Sequence, residues 1–196
     1  MKNITLDYYN KNADSFFKRT INHIITDTQK SFCEKIPKNG RILDFGCGSG
    51  RDSKLFINMG YEVDAIDGSI EICKVASSYI GINVKHMLFQ DLKEKEKYDG
   101  IWACSSILHL PKKELIDVLK KMSDALKTRG IIYTSFKYGD FEGERNERHF
   151  TDFTEKSFNS FIKDIKELKI LECWITNDVR PQKSNEKWLN VFLQKN

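Results

Sequence analysis

The 196-residue sequence predicts an α/β fold built on a mostly parallel sheet. Short apolar runs alternate with amphipathic stretches through most of the chain, and the first run stops abruptly at a glycine-rich turn that opens into a helix. Near the C-terminus two further apolar runs follow one another with only a loop between them. Alternating strand and helix requires crossover connections and hence parallel pairing, whereas two runs joined by a loop pair most simply as an antiparallel hairpin.

Taken in order, Ala13, Phe16, Phe17, Ile21, Ile24, Ile25 and Phe32 recur three or four apart, which predicts one amphipathic helix from Tyr9 to Phe32. After a break at Pro37 to Gly40, Arg41 to Phe45 reads as the first strand, and Leu55, Phe56 and Met59 as a helix closed by Gly60. Tyr61 to Ile66 is a second strand ending at Asp67-Gly68-Ser69, with a helix through Ile70, Cys73, Val75 and Ala76 behind it. Ile82 to Met87 is a weaker third strand and Tyr98 to Cys104 a fourth. Leu115, Val118, Leu119, Met122 and Leu126 form a helical stripe that Gly130 is expected to close. Gly130 to Phe136 is the fifth strand, and a connection of about sixteen residues, Lys137 to Asp152, leaves it. A short helix carries Phe158, Phe161 and Ile162, and the hairpin strands alternate at Leu171, Cys173, Ile175 and at Leu189, Val191, Leu193.

Length fits a single domain over residues 1–196, divided into an N-terminal helix region at 1–36, a core half at 41–136 and a C-terminal part at 137–196. The net charge of +4 is the small difference between 32 basic and 28 acidic residues, interspersed, so it describes a mixed surface and does not call for a nucleic-acid partner. Five scattered cysteines without a C-x-x-C pair argue against disulfides and structural zinc, and no metal is expected. The absence of a leader pattern and of about 18 apolar residues in a row predicts a cytoplasmic protein with no membrane partner, as a monomer or homodimer.

Asp44-Phe45-Gly46-Cys47-Gly48-Ser49-Gly50 places glycines at alternate positions between strand and helix, where a missing Cβ lets the backbone turn tightly and approach a ligand. The dinucleotide pattern G-x-G-x-x-G fails here, because its third glycine is Arg51. The segment closely resembles motif I of the class I S-adenosylmethionine-dependent methyltransferases, and GCGSGRDS is similar to the small bacterial tellurite-resistance-type and generic methyltransferase-domain proteins. Tyr8-Tyr9 with Ala13 and Phe17, Gly60 to Ser69, Gln90-Asp91, and Tyr98 to Cys104 with Leu108-His109 extend the resemblance over nearly the whole chain. It implies a Rossmann-like doubly wound seven-stranded sheet in the order 3-2-1-4-5-7-6, the last strand antiparallel, and an N-terminal helix covering the cofactor. It also implies S-adenosyl-L-methionine as cofactor, S-adenosyl-L-homocysteine as product, and cofactor contacts at Tyr9, Asp44, Gly46, Cys47, Gly48, Gly50, Arg51, Asp67, Gly68, Ser69, Gln90, Asp91, Leu92 and Cys104.

Asp67 can accept both ribose hydroxyls, or simply cap the helix that follows. Arg51 offers a fork of donors to the methionine carboxylate, or sits solvated on the surface. Asp91 would accept from the adenine amino group, or form a turn. Cys47 has no base patterned beside it and reads as a small filler. His109 is the catalytic candidate, as general base or as a hydrogen-bonding residue ahead of the Pro111 helix, while His23 and His86 read as surface residues. Lys137 to Asp152, with Tyr138 and Arg148, and the loop carrying Arg180, Lys183 and Trp188 are expected to wall in a small polar or ionisable acceptor together with His109 and Tyr8-Tyr9. A solvated loop is the alternative. A nucleic-acid methyltransferase is the competing enzyme, but neither a [DNS]-P-P-[YF] turn nor a Pro-Cys pair occurs; a non-catalytic cofactor-binding module is the competing non-enzyme.

Overall fold

A computed structural model describes residues 3–22, 26–180 and 183–196. Helices α1 (Ile4–Thr20) and α2 (Thr26–Glu34) precede five strands and three helices: β1 (Arg41–Phe45), α3 (Arg51–Asn58), β2 (Glu62–Asp67), α4 (Ile70–Ile80), β3 (Lys85–His86), β4 (Tyr98–Ala103), α5 (Lys112–Ala125) and β5 (Leu126–Lys137). Then come β6 (Glu142–Arg145), β7 (Arg148–Thr151), α6 (Glu155–Ile162), β8 (Leu168–Asn177) and β9 (Lys187–Lys195). The main sheet runs β3-β2-β1-β4-β5-β9-β8, with β6 and β7 apart as a separate pair. β9 is antiparallel to both neighbours and the other pairings are parallel, so with β6–β7 set aside the order is the expected 3-2-1-4-5-7-6.

Successive residues of a strand face opposite sides, and the two cores follow from that alternation. Leu43, Ile101, Ile132 and Val191 pack with Leu115, Val118, Leu119 and Met122 of α5 and Phe158 of α6. Their chain neighbours Ile42, Trp102, Tyr133 and Phe192 pack on the opposite side with Phe32 and Phe56. This second core is aromatic: Trp102 stacks on Tyr133 with centroids 4.2 Å apart, and Phe32 meets Trp102 edge-on at 5.2 Å.

Several local expectations are corrected. The single helix from Tyr9 to Phe32 is two helices, α1 ending at Thr20 and α2 beginning at Thr26; His23, Ile24 and Ile25 lie outside the described residues. A straight 24-residue helix would be about 36 Å long. The break lets Phe32 enter the aromatic core while Phe16 packs over Gly48 in the glycine turn. Gly130 does not close α5, which stops at Ala125; its last carbonyls, of Asp124 and Ala125, accept from the backbone N–H groups of Glu96 and Lys97, so no glycine cap is needed. Gly130 lies within β5, just past Arg129 at φ 64°, where the register against β4 shifts.

The third strand shrinks to Lys85–His86, flanked by buried Val84 and Met87. The sixteen-residue connection is a hairpin whose central Asn146 and Glu147 both take positive φ, 51° and 59°, as a type I′ turn requires. On β8 a register shift between Ile170 and Glu172 upsets the strict alternation, leaving Leu171 40% and Ile175 38% exposed on the edge strand.

Gly50 shows how tightly the turn is built. It takes φ 78° ahead of α3, and a Cβ there would lie 2.5 Å from Cγ1 and Cδ1 of Ile80 in α4. Gly50→Ala therefore combines backbone strain with overpacking and is expected to cost about 1–3 kcal/mol. Urea unfolding measures it, and a loss below about 0.5 kcal/mol would show that α3 and α4 part freely.

Candidate active site

A cavity of about 710 Å³ opens over the C-terminal ends of β1, β2, β4 and β5, with α1 along one side and the β6–β7 hairpin and the connection before β9 at its far end. This is where open α/β sheets hold ligands.

Its floor is the glycine turn. The N–H groups of Gly46 and Cys47 both donate to the Ile66 carbonyl, at 3.0 and 2.9 Å, and Gly50 N–H closes the turn onto Cys47 O at 2.9 Å. Gly46 sits at φ 84° beneath Ser106, whose Cβ would be 2.6 Å from any Cβ placed there. Asp67 ties the turn to β2: one carboxylate oxygen accepts from Gly48 N–H at 3.1 Å and the other from Ser69 N–H at 2.9 Å. Burial raises its pKa to about 6, while those same N–H groups hold it from rising further. The cap of α4 is not Asp67 but Ser69, whose hydroxyl accepts from Ile72 N–H at 3.2 Å.

Beside the turn lie two buried carboxyls. Asp44 accepts from Ser53 Oγ at 2.5 Å, and burial, then the charge of Asp52, pushes its pKa well above the usual carboxylate range. Asp52 gathers three elements: Gln29 Nε2 of α2 at 2.6 Å, Trp102 Nε1 of β4 at 2.8 Å, and Arg51 through Nε at 2.7 Å and Nη2 at 2.9 Å. Arg51 is thus not solvated on the surface. It lines the cavity with its guanidinium orientation set by Asp52.

Helix α1 is stitched down at three places. Asn10 Oδ1 accepts from Ser69 Oγ at 2.7 Å, His149 N–H donates to Thr5 Oγ1 at 3.0 Å, and the Tyr9 hydroxyl meets His109 Nε2 at 2.9 Å. The His109 tautomer follows from its other nitrogen. Nδ1 lies 2.7 Å from the His149 carbonyl, which can only accept, so Nδ1 carries the proton and Nε2 accepts from Tyr9 O–H. Burial, joined by the charge of Arg148, lowers His109 to about 4 against the pull of that carbonyl.

The far wall is organised by Asp178, which accepts from Arg180 Nε and Nη2 at 2.7 and 2.5 Å and from Trp188 Nε1 at 2.9 Å, with Lys137 Nζ at 3.4 Å. Burial opposes its charge, but the guanidinium holds it well below the usual carboxylate range. Arg148 instead lies over the rings of Tyr8 and Phe150, and Tyr138 stands half-exposed at the rim.

Of the residues named from the sequence, Tyr9, Asp44, Gly46, Cys47, Gly48, Arg51, Asp67, Gly68, Gln90, Cys104, His109, Tyr138, Arg148, Arg180 and Trp188 come together on this cavity. Gly50, Ser69, Asp91 and Leu92 do not line it. Gly50 is covered by Ile80, Ser69 is spent on the α4 cap, Asp91 is exposed and Leu92 is in the core. Sequence reasoning missed Asp52, Phe89 and Asp178; Phe89 lines the cavity and packs on Phe45 at 4.7 Å, one residue before the Gln90-Asp91 pair that drew attention. Cys47 is buried, and burial, then the charges of Asp44 and Asp67, push its thiol pKa well up, away from a thiolate; His86 is on the surface, its Nε2 3.0 Å from the Gly68 carbonyl. Among the described residues no helix is long and apolar enough to cross a membrane, and no cluster of three or more metal-ligating side chains occurs.

Residues 42–130 match the family described as a methyltransferase domain. The Bacillus subtilis (strain 168) protein called "Putative methyltransferase YqeM" is 30% identical over 64% of this chain and 56% of its own length. The N-terminal Xaa-Pro-Lys N-methyltransferase 1 of Xenopus tropicalis is 35% identical over 48% of this chain and 46% of its own. The chain spans about half the length of these curated relatives. Among solved structures, the Burkholderia thailandensis 1,6-didemethyltoxoflavin-N1-methyltransferase, with bound 1,6-didemethyltoxoflavin and S-adenosylhomocysteine, superposes with a TM-score of 0.79. It is 16% identical, over 98% of this chain and 87% of that one, which is a likeness of fold.

The neutral His109 has a measurable consequence. Between pH 6.5 and about 4 the unfolded chain binds a proton at this position that the folded chain does not, so His109 costs stability as the pH falls through that window and nothing changes above it. Acidification should therefore lower the melting temperature of the wild type more than that of His109→Asn across the window. Parallel pH profiles would show an imidazole that protonates freely in the folded state.

Proposed function

We propose that this chain, whose residues 42–130 match the methyltransferase-domain family, transfers a methyl group from S-adenosyl-L-methionine to a small-molecule acceptor, leaving S-adenosyl-L-homocysteine. The observation that carries the reading is the glycine turn bound to the part-buried Asp67 carboxylate, with Arg51 beside it on the same cavity. When bound, the cofactor supplies a sulfonium methyl already activated for in-line displacement.

The residues divide the remaining work. Each Asp67 oxygen accepts one backbone N–H and keeps lone-pair capacity for a ribose hydroxyl. Asp52 takes the Nε N–H and one Nη2 N–H of Arg51, leaving Nη1 and the second Nη2 N–H to donate to the methionine carboxylate. The Gly46, Cys47, Gly48 and Gly68 backbone forms the close surface over which the nucleoside lies, with Cys104 below. Recognition of the adenine falls to the Phe89 ring and Gln90, since Asp91 and Leu92 do not line the cavity. Tyr138, Arg148, Arg180 and Trp188 form the acceptor wall.

His109 acts here by holding Tyr9, because its lone pair is already engaged by the Tyr9 hydroxyl and its low pKa makes a weak base. The site thus accelerates transfer by alignment, the bound acceptor being held in line with the methyl group.

Calorimetry tests the cofactor. S-adenosylhomocysteine is expected to bind and NAD not to, and comparable NAD affinity would overturn the reading. Asp67→Ala should cost about 1–3 kcal/mol of adenosyl-ligand affinity through ribose hydroxyls left unpaired. Unchanged affinity with a lowered melting temperature would assign the carboxylate to the turn alone.

A further inference from the structure

The methyl-transfer reading leaves the far end of the cavity without a ligand chemistry, and the charges there are unequally disposed. Lys137, Arg145, Arg180 and Lys183 are each paired with Asp152, Asp178 or Glu186, so their charges are compensated within the wall. Arg148 is not. Its Nε donates to the Asn146 carbonyl at 3.3 Å, and among the described residues no carboxylate lies within ion-pair distance of it.

The Arg148 guanidinium is nevertheless held in place. Its carbon lies 4.3 Å from the ring centroid of Tyr8, 5.2 Å from that of Phe150 and 6.0 Å from that of Tyr9. Rings restrict a guanidinium without neutralising it, and although the Arg148 guanidinium also lies close enough to the Tyr9 hydroxyl to hydrogen-bond it, that oxygen carries no compensating charge and the remaining N–H groups at the guanidinium edge can still donate. The backbone beneath is short and fixed, since Arg148 follows directly on the two-residue hairpin turn. Lys187, the other cation of this wall without a carboxylate partner, is exposed, and no ring packs against it among the described residues. An uncompensated, ring-held fork of donors facing a cavity is suited to a planar or tetrahedral oxyanion, which it can bind through two parallel hydrogen bonds.

We infer that Arg148 receives an oxyanion of the methyl acceptor, so that the acceptor is a small molecule bearing a carboxylate or a phosphate. The inference rests on the methyltransferase reading of the same cavity. Arg180, placed on the same wall, has no such role because Asp178 already holds its fork.

The test uses the full chain, free and saturated with S-adenosylhomocysteine, titrated calorimetrically with benzoate, phenyl phosphate and the neutral isostere benzamide. One of the two anions is expected to bind about tenfold more tightly than the amide, and which of them does so distinguishes carboxylate from phosphate. Arg148→Gln should erase that preference while S-adenosylhomocysteine affinity stays within about threefold, and Arg148→Lys should keep part of it. Equal binding of anion and amide by the wild type, or a preference that survives Arg148→Gln, overturns the inference. So does a variant that loses S-adenosylhomocysteine affinity in parallel, since Arg148 would then serve to hold α1. Failure of the wild type to bind S-adenosylhomocysteine would count against the methyltransferase reading alone, because the anion preference is also read in its absence.

Discussion

Everything on the cavity floor depends on the junction between the ends of β1 and β2. A turn with three left-handed glycines has no ladder of its own, and it takes its rigidity from the next strand: the Ile66 carbonyl receives two of its N–H groups and Asp67 receives a third. The other oxygen of Asp67 reaches Ser69, so one carboxylate fixes both the turn ahead of α3 and the start of α4. The starts of the two helices are thereby set side by side at the mouth of the cavity.

The parts that could be read from the sequence are those whose chemistry is local. Glycines at 46, 48 and 50 state their own backbone demand, and the strand ending at Asp67 announces itself by its apolar run and the Gly68-Ser69 that follows. The sheet order came through the resemblance those strings carry. Asp52 could not be read in this way. Neighbouring residues on a helix do not ordinarily face each other, yet at the start of α3 Arg51 and Asp52 do, because Asp52 is also drawn by Gln29 and Trp102 from elements that are remote in sequence. The boundaries failed for a similar reason. The stripe from Ala13 to Phe32 keeps helical spacing across a break, and α5 ends where residues 96–97 take up its carbonyls.

On the acceptor side the sequence offered only a polar stretch with charges of both signs. Reading Arg148 and Arg180 as equivalents was natural, since both are arginines on loops after β5. The structure separates them through partners a few residues away: Asp178 accepts from Arg180 N–H at 3.0 Å as well as from its side chain, a local turn that the string DVR could have suggested. The hairpin carrying Arg148 was hidden because Asn-Glu is an uncommon pair for two left-handed positions, which glycine usually fills.

The bulge on β8 reaches beyond its own strand. An unpaired sheet edge is a row of open donors and acceptors, on which a second copy of the same strand can build. Here one edge, β3, is two residues long, and the other is interrupted between Ile170 and Glu172, with Lys169 and Glu172 exposed and Glu172 paired to Lys35 at 2.6 Å. Neither edge offers a long, regular, apolar template. The exposed Leu171 sits at the interruption itself and Ile175 on the run Glu172–Asn177 beyond it, so the stretch of regular edge on which a further strand could build is shortened by the same irregularity that upsets the alternation of β8.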